Sequence, residues 1–144
     1  MFDQITVIRT FAAPRERVFA AWTNPEDFAV WFGSSQVTVP QESVVLDARP
    51  GGSWRAVMEL PDGGTINWEG EFTEVVPPER LALTMTDQPG EDPGAPLVVT
   101  FAEVDGGTEM TLVQHAPDFT EQQKEMTVVG YKGFFDDMER IVTA

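Results

Sequence analysis

Along the middle of the chain, apolar and polar residues take turns. Trp54, Ala56, Met58 and Leu60 alternate with Arg55 and Glu59, and Ile66, Trp68 and Phe72 with Asn67, Glu69 and Glu71, with Gly70 in an inward slot. Leu81, Leu83 and Met85 alternate with Ala82, Thr84 and Thr86; Val99 and Phe101, then Met110 and Leu112, continue the pattern. A period of two puts one row of side chains in a core and the other in water, so these runs predict half-buried antiparallel strands. Pro61-Asp62-Gly63-Gly64 and Asp105-Gly106-Gly107 supply turn residues between them. Ile5 to Phe11 reads as an earlier strand. One face of such a sheet must be covered.

The remaining segments carry helical signals. Pro14 suits the first position of a helix, Glu16 complements its dipole, and Val18, Phe19 and Trp22 share one face. Asn24-Pro25-Glu26-Asp27 starts a second short helix with a cap, a helix-opening proline and two acids; it carries Phe28, Trp31 and Phe32 and stops at Gly33. Near the end, Thr120 and Gln123 form a capping box. Val128, Tyr131, Phe135, Met138 and Val142 then recur at helical spacing, widened by Phe134 and Ile141. A helix from about Thr120 to Val142 spans roughly 35 Å at 1.5 Å per residue, long enough to cross a sheet. Gly130 and Gly133 interrupt it and predict a bend or a close backbone contact.

Composition narrows the role. The 144 residues suit one domain with its own core. Asp and Glu number 24 against 9 Lys and Arg, a net charge of -15, which opposes nucleic-acid and anionic-membrane partners. With no Cys and one His, disulfides, thiolate chemistry and His-rich metal sites are excluded, and no cofactor is expected. No apolar run reaches the length of a membrane span, and Met1-Phe2-Asp3-Gln4 lacks a basic leader start. The expectation is a soluble, cytoplasmic protein, monomeric or weakly dimeric.

The order is one strand, two short helices, about six antiparallel strands and one long helix. It resembles the START-like or Bet v 1-like helix-grip superfamily, and within it the bacterial SRPBCC proteins related to the activator of Hsp90 ATPase (AHSA1-like). The matching pieces are Pro14-x-x-x-Val18-Phe19-x-Ala21-Trp22-Thr23-x-Pro25, Trp31-Phe32-Gly33 and Asp47-x-Arg49-Pro50-Gly51-Gly52-x-Trp54. Gly70-x-Phe72-x-x-Val75-x-Pro77-Pro78-x-Arg80-Leu81 and Gly130-Tyr131-x-x-Phe134 complete the series. The resemblance covers essentially the whole chain, residues 1–144. It implies an α+β helix-grip fold: a curved antiparallel sheet of about seven strands wrapped around the long C-terminal helix, with an apolar cavity between them. Tyr131 replaces the Trp usual after that glycine, which changes the polarity of the pocket.

The sequence supplies walls for such a cavity: Trp31, Trp54, Met58, Trp68, Phe72 and Met85. Phe101, Met110, Tyr131, Phe134 and Met138 complete the candidate set. Each alone is explained by core packing. Together, aromatics and adaptable methionines suit an irregular apolar ligand, so the expected partner is a small hydrophobic molecule. An enzyme of the polyketide cyclase or aromatase kind is one alternative, with Tyr131 and His115 moving protons and Arg55 binding an oxyanion or carboxylate. A chaperone-type protein-interaction module is another. No catalytic constellation is legible. Ser34-Ser35 and Ser53 lack a nucleophile elbow, and the glycine turns open no helix and precede no Lys-Ser/Thr. Asp47 and Arg49 are expected to pair across their turn, the acids Asp87, Glu91 and Asp92 to make a poor cation site, and Asp136, Asp137 and Glu139 to form the wet face of the last helix.

Overall fold

In a computed structural model, residues 4–33, 37–88, 90 and 94–143 are described. The strands are β1 (Gln4–Phe11), β2 (Val45–Leu46), β3 (Ser53–Glu59), β4 (Thr65–Val76), β5 (Arg80–Leu83), β6 (Leu97–Val104) and β7 (Gly107–His115). The α-helices are α1 (Arg15–Thr23), α2 (Pro25–Trp31) and α3 (Glu121–Val142). The seven strands form one antiparallel sheet in the order β1-β7-β6-β5-β4-β3-β2. The element order is the one the residue pattern predicts, and the arrangement is the α+β helix-grip fold that the resemblance implies.

Local chemistry sets the boundaries. The Asn24 side chain accepts from the Glu26 N–H at 2.9 Å and so caps α2. That helix ends where Phe32 turns extended and Gly33 takes φ +92, a left-handed conformation that glycine adopts without strain. Pro14 stands one residue earlier than expected, as the extended cap of α1 with its carbonyl accepting from Arg17 and Val18. At the start of α3, Gln123 N–H donates to the Thr120 hydroxyl at 3.1 Å while the Thr120 N–H donates to the Gln123 side chain at 2.8 Å. Both bonds of the capping box are made.

The buried face of the sheet carries Val7, Trp54, Leu83, Phe101, Met110 and Leu112, among others. Helices α1 and α2 plug one end of it. The Trp22 and Trp31 rings lie 4.7 Å apart, and Phe28 meets Trp54 at 5.7 Å. The buried indole N–H groups find acceptors in the Met110 sulfur, the Ala21 carbonyl and the Thr84 carbonyl, as buried donors must. Gly70 is where β4 passes closest to the chain after β5: a Cβ there would sit 1.9 Å from the Thr84 carbonyl oxygen. The pairing slips one residue between Phe72 and Glu74, a bulge that bends the strand.

Helix α3 lies across this sheet with Tyr131, Phe135, Met138 and Val142 buried. Its acids are not simply a wet face. Arg9 on β1 reaches Asp136 at 2.9 Å and Glu139 at 2.7 Å, and buried Asp137 pairs with Arg140. The partner of Asp136 and Glu139 lies on the first strand, beyond the reach of a helical pattern. The Asp47–Arg49 pair forms at 3.0 Å. Ser34, Ser35, Glu91 and Asp92 lie outside the described residues.

Candidate functional site

The plug formed by α1 and α2 covers only part of the sheet. Past the end of α2, a partly open cavity of about 440 Å³ remains between α3 and the inner ends of the strands. That volume is within the range of small-molecule sites. Its apolar wall includes Phe32, Met58, Trp68, Leu97 and Phe134. Phe32 meets Phe134 at 5.6 Å and Trp68 at 5.9 Å, and the Trp68 N–H donates to the Met58 sulfur at 3.1 Å. The aromatic wall is thus internally braced.

Five of the expected wall residues come together here: Met58, Trp68, Met85, Tyr131 and Phe134. The other six, Trp31, Trp54, Phe72, Phe101, Met110 and Met138, are buried in the core and do not line this cavity. Three of them are taken up by α1 and α2: Trp54 meets Phe28, Phe101 meets Phe19, and Met110 accepts from the Trp22 indole. Sequence reasoning missed Phe32, Leu97, Phe119 and the polar lining groups Thr86, Asp87, Gln114 and Thr127. Gln114 was within reach, because it extends the inward series Thr108, Met110, Leu112 by one more step.

Gly130 makes no close backbone contact. A Cβ built on it would meet nothing within 4 Å, and it lines the cavity. The helix therefore presents bare backbone to the empty space, one residue before Tyr131. The Tyr131 hydroxyl donates to the side-chain oxygen of Gln114. His115, the next residue on β7, alternates outward and is exposed. Arg55 is exposed on the opposite face of β3 from Trp54 and Ala56. Tyr131, His115 and Arg55 are therefore not brought together, so proton transfer by Tyr131 and His115 with Arg55 as the anion partner lacks its geometry.

Burial pushes the Tyr131 phenol well above its ordinary range, because a phenolate would be desolvated there. A group whose folded value is raised adds stability that is complete below its unfolded value, about pH 10 for Tyr. That stability is lost as the pH climbs further. The chain has one Tyr, so absorbance at the phenolate band reports this residue alone. We expect no phenolate signal until the alkaline unfolding transition, and we expect Tyr131→Phe to flatten the loss of stability above about pH 10. Reversible phenolate titration near pH 10 in the folded protein would contradict this.

A sheet gripping a long helix over a cavity places the protein in the helix-grip class. The chain belongs to the activator of Hsp90 ATPase homologue 1-like protein family, whose model matches residues 12–143. Protein CV1439 from Chromobacterium violaceum is similar, with a TM-score of 0.83 and 25% identity over 99% of this chain and 98% of that one. The AHSA1-like protein from Aeromonas hydrophila has a TM-score of 0.79 and 27% identity, covering 97% of this chain and 92% of that one. DynU16, a protein of the dynemicin biosynthetic locus, shares the fold with a TM-score of 0.76 and 22% identity; the match covers 100% of this chain and 48% of that one. The comparison with curated proteins finds no match. Among the described residues, no helix is long and apolar enough to cross a membrane.

Proposed function

We propose that the protein binds a small hydrophobic molecule in the cavity between α3 and the sheet. The observation that carries this is the partly open cavity of about 440 Å³ walled by aromatic and methionine side chains, with exposed Gly130 adding no side chain to its rim. A packed core closes such gaps, since interiors reach crystal-like density. Here Phe32, Trp68 and Phe134 brace one another around open space instead. Phe134 and Trp68 are only partly buried, so they hold less of the packing energy than the fully buried rings of the core.

Two substitutions test the reading with an uncharged fluorescent probe, N-phenyl-1-naphthylamine. Gly130→Phe puts a ring into the space and removes an interior helical glycine, so probe uptake should vanish while the melting temperature holds or rises. Phe134→Ala enlarges the cavity and should cost only about 1–2 kcal/mol, below the range for fully packed rings, with tighter probe binding. Undiminished probe binding by Gly130→Phe, or a Phe134→Ala loss at the top of the core range with no gain in binding, would defeat the proposal.

A further inference from the structure

The cavity lacks something that ligand sites for acids need. The chain holds nine Lys and Arg, all within the described residues, and none lines the cavity. Seven of the nine stand in ion pairs with carboxylates, from Arg9 with Asp136 and Glu139 to Arg140 with Asp137. The other two, Arg55 and Lys132, are exposed. The single histidine, His115, also points away. Among the described residues, the one charged group on the lining is Asp87, itself exposed. An anionic head drawn inside the cavity would lose its water and find no counter-charge, and one left at the rim would face a like charge.

The polar feature inside the cavity is neutral. Gln114 lines the cavity; its oxygen accepts from the Tyr131 hydroxyl, and its amide nitrogen has no hydrogen bond among the described residues. An amide –NH₂ offers two donors. Thr86 and Thr127 add hydroxyls to the same lining. On the reading that the cavity is a ligand site, we infer that its ligand is an uncharged apolar molecule bearing a carbonyl or hydroxyl oxygen that accepts from the Gln114 amide, and that carboxylates and phosphates are excluded. The inference deepens the proposed function by naming a ligand class, and it assigns Gln114 as the residue that selects it.

The test displaces N-phenyl-1-naphthylamine with three competitors in ~0.5 M NaCl, which screens the overall negative charge. The competitors are 2-decanone, decanoate and hexylbenzene, which has no polar atom. The wild-type protein should prefer 2-decanone to decanoate at least tenfold. Gln114→Leu should weaken 2-decanone about five- to tenfold, the worth of one neutral hydrogen bond, and leave hexylbenzene unchanged. Gln114→Arg should strengthen decanoate at least tenfold, which ordinary differences in solubility do not produce. Decanoate binding the wild type as tightly as 2-decanone, or Gln114→Leu weakening hexylbenzene as much as 2-decanone, would overturn the inference while leaving a ligand site in place. Failure of the wild type to bind the probe or any competitor would instead overturn the cavity reading, and the inference with it.

Discussion

A chain lacking residues 130–144 is expected to show no cooperative thermal transition. The deletion removes Tyr131, Phe135, Met138 and Val142, all buried against the sheet or the plug. At roughly 1.5–3 kcal/mol for each large apolar side chain, their burial amounts to about 6–12 kcal/mol. Whole domains are stable by only about 5–15 kcal/mol, so little or nothing is left. The removal also strips the Phe135 ring from Trp22 and Trp31, which it meets at 6.3 and 6.4 Å. Circular dichroism melts and tryptophan emission check this directly. A sharp melt with native-like emission in the shortened chain would mean that α3 is not what holds the sheet closed.

Within that helix, Phe135→Ala should be the most damaging single truncation, about 3–5 kcal/mol. Phe135 is fully buried and packs against Trp22, Trp31 and Tyr131, the last stacked at 5.9 Å. Every face of the ring has a partner, so its removal leaves a void that rigid neighbours cannot close. Phe134, its neighbour in sequence, turns toward the cavity and should lose much less. Chemical denaturation of the two variants side by side measures the difference. Equal losses would erase the distinction between core and cavity wall.

The strands, the capping residues and the long helix were legible because they rest on local rules: a period of two, a period of 3.6 and the chemistry of Asn24, Gly33, Thr120 and Gln123. The cavity was only half legible. Alternation says that Trp54, Phe72, Phe101 and Met110 point inward, but it does not say what stands opposite each of them. Phe28 meets Trp54, Phe19 meets Phe101 and the Trp22 indole bonds Met110, so the plug helices claim the residues that seemed equally fit to line a pocket. Met58, Trp68 and Met85 escape because α2 ends at Trp31. Gly130 shows the same limit: a glycine in a helix signals room for something, and the sequence cannot say whether a neighbouring backbone or open space lies beside it. The Arg9 link to α3 joins residues 130 apart, a distance no periodicity spans.

The strand order has a consequence for how the chain is made. β1 sits at the sheet edge with β7 as its ladder partner, and Gln4 stands opposite His115. Of the strands in this sheet, the first to leave a ribosome is thus completed by the last. At about 5–20 residues per second, the intervening hundred or so residues take on the order of 5–20 s to synthesise. Throughout that time Ile5, Val7 and Phe11, later among the most deeply buried side chains, have no neighbouring strand. Such distant pairings place this sheet with the slower-folding topologies. The N-terminal strand is the piece of the nascent chain most in need of protection while it waits.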